Sequence, residues 1–148
     1  MSLKGDLLRR GLMVNYAEIM TRVPSGRIQE APVAMIGAAT ITVAAILNGL
    51  IIGTPVGDDV AYTLPTGAVL DAALTSDIIA NDSFDFTIIN LAATAGQDII
   101  LTEPASGITI VGSAVVSSNE FESSYYMNTG TFRLRKTAAN TFVAYRIA

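Results

Sequence analysis

Residues 131–148 read TFRLRKTAANTFVAYRIA. In TFRLR, apolar Phe132 and Leu134 alternate with Arg133 and Arg135, which is the period of a strand with one face on a core and one in solvent. The TAAN stretch at 137–140 supplies turn residues, and Phe142–Ile147 returns as a second strand. Phe132 and Phe142 fall on the core side, and most of the C-terminal basic cluster falls on one hairpin.

Upstream the same period recurs in short runs. Phe84, Phe86 and Ile88 alternate with Asp85 and Thr87; Ile99 and Leu101 with Ile100 and Thr102; Ile108 and Ile110 with Thr109 and Val111. Glu103–Gly107, EPASG, has the Pro and Gly of a hairpin loop. So does Asn128–Gly130, between a strand holding Phe121 and Tyr125 and the TFRLR strand. Two Ala/Leu-rich helical turns interrupt the pattern, at Val43–Leu47 and at Gly67–Leu74. Thr66 is placed to cap the second, with Asp71 on the face opposite Val69 and Leu70. The reading is a mainly β chain: an antiparallel β-sandwich or jelly-roll-like barrel with short helical caps and an N-terminal helical arm.

Residues 1–32 form that arm. Leu8, Leu12, Tyr16, Ile19 and Val23 fall near a 3.6-residue stripe, widened by Leu7, Val14 and Met20. Gly5 and Gly11 each cost such a helix about 1 kcal/mol, so its order is expected to come from a partner surface. That surface is either its own β-domain or another subunit. Residues 22–32, RVPSGRIQEAP, have linker chemistry, and residues 33–148 form the β-domain.

The chain has 148 residues, of which 51% are hydrophobic and 15% charged, enough apolar content for one packed core. Its net charge of −4 conceals segregation. Residues 1–30 carry Lys4, Arg9, Arg10, Arg22 and Arg27 against Asp6, Glu18 and Glu30. Residues 31–132 carry ten acidic side chains and no basic one, and Arg133, Arg135, Lys136 and Arg146 close the chain. An acidic middle disfavours nucleic acid, and Phe132 and Phe142, being core positions, are not free to stack on bases. Residues 31–57 are uncharged and long enough to span a bilayer. Thr40, Thr42, Asn48, Thr54 and four glycines make them read instead as two strands flanking a helical turn, so a membrane span is not expected. No secretory signal is evident at the N-terminus.

Cys, His and Trp are absent, which removes thiolate nucleophiles, imidazole bases and the commonest transition-metal ligands. No phosphate-binding glycine loop and no GxSxG elbow occurs. Asp58 with Asp59, and Asp77, Asp82 and Asp85, are the carboxylate groupings closest to a hard-metal or acid–base set. DIIANDSFD lacks the glycine and terminal glutamate of a calcium loop. No catalytic residue, metal or cofactor is expected. Tyr125 and Tyr126 are adjacent, so on a strand they face opposite sides and one is available to an interface.

Four segments carry a family resemblance: GLIIGTP at 49–55, TLPT followed by an Ala-rich helix at 63–74, FDFTIIN at 84–90, and TFRLRKTAANTFVAY at 131–145. Their order from about residue 38 to the end resembles small structural proteins of marine tailed phages and some large DNA viruses. The matching positions are core and turn residues, and the first 30 residues lie outside the pattern. The resemblance implies a capsid-associated protein of the virion, acting as cement, decoration or head fibre. Its partners would be the major capsid protein and further copies of itself, a trimer suiting a local threefold position. The side chains expected to make capsid or subunit contacts are Leu8, Arg9, Arg10, Leu12, Tyr16, Ile19, Arg22 and Arg27 in the arm, with Arg133, Arg135 and Lys136 on the C-terminal hairpin. The alternative is a host-recognition or glycan-binding fibre module, using an exposed aromatic such as Tyr125.

Overall fold

The computed structural model describes residues 29–119 and 128–148. The arm helix, and the strand expected around Phe121 and Tyr125, lie outside them.

Strands alternate between two sheets as the chain advances. β1 (Val33–Met35) enters one sheet and β2 (Ala39–Thr40) the other. After helix α1 (Val43–Asn48), β3 (Leu50–Gly53) and β4 (Val60–Thr63) repeat the step. After α2 (Gly67–Ala73), β5 (Ser83–Asn90) and β6 (Ile99–Thr102) repeat it again. Each strand lies parallel to its predecessor in the same sheet, so residues 33–102 wind as three stacked coils. The end of the winding is then closed differently. β7 (Ile108–Val111) crosses to the first sheet, β8 (Val115–Val116) runs antiparallel beside β6, and β9 (Thr129–Ala138) and β10 (Thr141–Arg146) form a hairpin beside β5. The result is a six-stranded sheet, β1-β3-β5-β9-β10-β7, facing a four-stranded one, β2-β4-β6-β8.

The protein is therefore mainly β and sandwich-like, as its sequence pattern indicates, but the pairing is mixed: five ladders are parallel and three antiparallel among the described residues. Alternation of apolar and polar residues fixes which face a strand buries, and that period is the same for either direction of pairing. The EPASG segment corrects the hairpin expectation for the same reason. It carries the chain from β6 in one sheet to β7 in the other, where β7 pairs with β10 in parallel.

The uncharged 31–57 stretch resolves into β1, β2, α1 and β3. None of the described helices is long and apolar enough to cross a membrane. Both short helices begin on a threonine whose hydroxyl accepts from the third residue on, Thr42 from Ala45 N–H (3.2 Å) and Thr66 from Val69 N–H (3.3 Å). Gly49 ends α1 with φ +87°, the left-handed conformation that glycine adopts without a Cβ penalty. In α2 the buried residues are Gly67 and Leu70. Val69 is 55% exposed, so it does not share the core face the sequence pattern gave it.

The core lies between the sheets. Ile51, Phe86, Ile88, Phe132, Leu134, Phe142 and Ala144 face Tyr62, Ile99, Leu101 and Val116, with Ile41, Ile46, Leu64 and Leu70 filling in from the connections. Phe86 and Phe132 are cross-strand partners whose rings stack with centroids 5.5 Å apart. Asn90 stitches the sheets at one end. It is fully buried, its Nδ2 donates to the carbonyls of Gln97 (2.9 Å) and Val116 (3.1 Å), and its Oδ1 accepts from Ala92 N–H (2.9 Å). That complete set of partners offsets the cost of a buried amide.

Candidate functional site: the outer face of the six-stranded sheet

Residues that alternate with the core positions of β1, β3, β5, β9, β10 and β7 form an outer face whose rows follow from the strand register. The first row runs Ala34, Ile52, Ile89, Thr129, and the next Leu50, Thr87, Thr131. A third runs Asp85, Arg133, Tyr145, Val111, and a fourth Ser83, Arg135, Val143, Thr109. One corner of the face is thus aliphatic with threonines, whereas the β9/β10 side is charged and aromatic.

The hairpin cations expected to contact a partner are brought onto or beside this face, each already engaged within the chain. Arg133 forms a two-pronged pair with Asp85, Nε to Oδ1 at 2.7 Å and Nη2 to Oδ2 at 2.8 Å. Its side chain is 49% exposed, and the Asp85 carboxylate beside it raises its pKa further. Arg135 donates to Asn81 Oδ1 (2.8 Å) and to the Tyr145 hydroxyl (3.0 Å), with its guanidinium 5.8 Å from that ring's centroid. Lys136 points elsewhere. Its Nζ bonds Asp71 Oδ1 at 2.5 Å and the Ile78 carbonyl at 3.1 Å, and both side chains of the pair are only 15% exposed. Asp71 also accepts from Asn140 N–H at 2.8 Å. Burial works against the charge on Asp71, but the bonds from Lys136 and Asn140 and the Lys136 charge outweigh it and hold the carboxyl below its usual range. This clasp ties α2 to the β9/β10 turn. Lys136 is therefore a structural cation, while Arg133 and Arg135 present themselves on the outer face. Leu8, Arg9, Arg10, Leu12, Tyr16, Ile19, Arg22 and Arg27 lie outside the described residues.

Arg146 leaves this face for the β8 side. Its Nη1 donates to the Val115 carbonyl (2.9 Å), its Nη2 to that of Thr129 (3.1 Å), and its guanidinium lies 5.1 Å from the Phe132 ring centroid. Burial lowers its pKa. Burial likewise pushes the Tyr62 phenol up to about 12, and its hydroxyl donates to the Met35 carbonyl at 2.9 Å.

The acidic groupings are dispersed. Asp59 accepts from Asp98 N–H (2.8 Å), Asp98 from Ser118 N–H (2.8 Å), and Asp82 from Ile79 N–H (3.1 Å), so they brace turns. Among the described residues no three acidic side chains are grouped as a metal would require. An open groove of about 560 Å³ borders the outer face between the end of α1 and strands β5 and β9. Most of its polar side chains are paired with one another: Thr87 with Thr131 (2.9 Å), Gln29 with Asn48 (3.1 Å), and Asp85 with Arg133. Such an arrangement offers a shaped surface rather than an aimed reactive group.

Sequence reasoning placed the hairpin cations correctly on their strand but missed Asp71, Asn81 and Tyr145 as their partners. Asp71 and Asn81 lie more than fifty residues from the cations they engage, and only the tertiary fold joins them. Compared with known proteins, the chain matches no family model, no curated protein and no solved structure at a significant level.

Proposed function

We propose that this chain is a non-catalytic structural protein of a virion, a capsid decoration or cement protein that binds the major capsid protein and stabilises the shell. The observation that supports this reading best is the outer face of the six-stranded sheet. It is a broad surface graded from aliphatic to cationic and aromatic, with Arg133, Arg135 and Tyr145 held in fixed geometry by their neighbours. Surfaces of this kind bind through complementary shape and charge, with preorganised arginine and tyrosine side chains losing little freedom on contact. The resemblance of residues 38–148 to phage and large-virus structural proteins supplies the virion context, and the amphipathic arm of residues 1–32 supplies a second contact.

Quantitative mass spectrometry of purified virions tests this. A copy number equal to the major capsid protein, or a simple fraction of it, is the expected result. Absence from the particle overturns the reading, and a handful of copies replaces cement with a vertex or fibre role. On shells, Arg133→Ala with Arg135→Ala is expected to weaken binding while leaving the isolated chain folded.

A further inference from the structure

Among the described residues the sandwich has four edge strands, and their treatment is unequal. On β8, Val115 has its peptide groups turned away from β6; its carbonyl accepts from Arg146 (2.9 Å) and its N–H donates to Ser113 Oγ (3.3 Å). On β7, the outward N–H of Ile110 donates to Glu103 Oε1 at 2.7 Å. The chain thus engages outward peptide groups on both edges with its own side chains, a common defence against unwanted strand pairing.

Among the described residues the first coil has no such protection. The bond from Thr54 N–H to the Met35 carbonyl shows that Met35 faces β3, which leaves the peptide groups of Ala34 pointing away from the sheet. The bond from Ile41 N–H to the Thr63 carbonyl likewise turns those of Thr40 outward from β4. No described side chain reaches either residue's peptide groups. β1 and β2 are joined by three residues and lie at the same end of the winding, so two edges that no described side chain blocks stand side by side. Ile36 between them is 66% exposed, and no residue from 31 to 57 carries a charge that would repel an identical surface.

We propose that this open end takes a second copy of the chain across a two-fold axis normal to the sheets. Such an axis sets β1 antiparallel to the partner's β1 and β2 antiparallel to the partner's β2 at once, continuing both sheets. Self-complementarity is what an uncharged edge permits and a charged one prevents. The inference concerns the isolated chain and stands apart from the shell reading, so copy number on particles and association in solution are separate tests.

Sedimentation equilibrium on the full chain reads the association. A dimer is expected. Ile36→Lys with Thr40→Lys, both at exposed positions, should raise its dissociation constant about tenfold or more by placing like charges opposite each other. Val111→Lys, on the β7 edge at the opposite end of the same sheet, should leave it unchanged. Hydrogen exchange at the Ala34 and Thr40 amides should slow as concentration rises. A chain that stays monomeric, a trimer, or a dimer indifferent to the paired lysines overturns the proposal, and unchanged circular dichroism keeps misfolding from mimicking dissociation.

Discussion

The coiled part, residues 33–102, and the closing part, residues 108–148, solve the same packing problem by different means. The coils stack parallel strands of two to eight residues and need a crossover through the other sheet for every ladder they form. The closing part pairs two long strands through a tight turn and carries all four C-terminal cations. The coils contain no basic residue, and their acidic side chains serve mainly turns and the pairs with Arg133 and Lys136. A parallel stack gets its stability from core burial repeated coil by coil. The hairpin adds local pairing and then lends its cations to bind the coils from outside. The two parts are joined by the β5–β9 and β6–β8 ladders and by the α2–turn clasp, and the first and last of these joints are where the comparison can be broken.

The largest effect is expected at the β5–β9 joint. Phe86 comes from the last coil and Phe132 from the hairpin, and both are fully buried. Truncating either to Ala should cost about 3–5 kcal/mol from lost burial and a residual cavity. The double substitution should cost less than the sum, because the rings share one contact. Denaturant unfolding followed by both tyrosine fluorescence and circular dichroism checks it. Coincident transitions mean that coils and hairpin fold as one unit, and separated transitions would show two.

Next comes the close approach under the hairpin turn. A Cβ on Gly67, at the start of α2, would sit 2.0 Å from the Asn140 carbonyl oxygen and 2.7 Å from that of Gly107. Both obstacles are backbone, so neither yields cheaply. Gly67→Ala should destabilise by about 1–3 kcal/mol, as overpacking does. Gly37→Ala, with nothing within 4 Å, should be close to neutral in a thermal melt. Equal effects at the two sites would mean that α2 does not bear on the turn as described.

How much of this was legible depends on range. Strand existence and inward faces at Phe86, Ile88, Phe132, Leu134 and Phe142 were readable, because alternation is a local signal and burial obeys it. Thr66 as a helix cap was readable for the same reason. Parallel stacking was not, since β3 meets β5 across 37 residues and β4 meets β6 across 39, and no period encodes the direction. The site shows the same divide. Arg133 and Arg135 were readable as outward cations on one strand, whereas Lys136 turned inward to an Asp71 that the helical pattern alone placed on the opposite face from Leu70.

That Asp71–Lys136 clasp gives a smaller, pH-dependent effect. Asp71 has a folded pKa below its unfolded value, so the clasp contributes in full above about pH 4, the usual carboxylate value, and its contribution is lost as pH falls through the depressed folded value. Thermal melts from pH 7 downward should show part of the acid-induced drop vanish in Asp71→Asn. An unchanged acid limb would mean that the hairpin turn is held by the Gly67 contact alone.

The smallest effect belongs to Asp85 with Arg133, the other charge pair joining the two parts. Its geometry is good, two bonds of 2.7 and 2.8 Å, but both side chains stand in solvent, 38% and 49% exposed, where water and salt screen the attraction. Asp85→Asn should therefore move the melting temperature less than Asp71→Asn does at pH 7, and the difference from the parent chain should shrink further in high salt. Freed from Asp85, Arg133 would stand unpaired on the outer face, so the same variant should alter binding to shells more than it alters folding. A large loss of stability would instead make this pair a structural joint like the buried clasp, and would leave Arg135 with Tyr145 as the cation the outer face has to offer a partner.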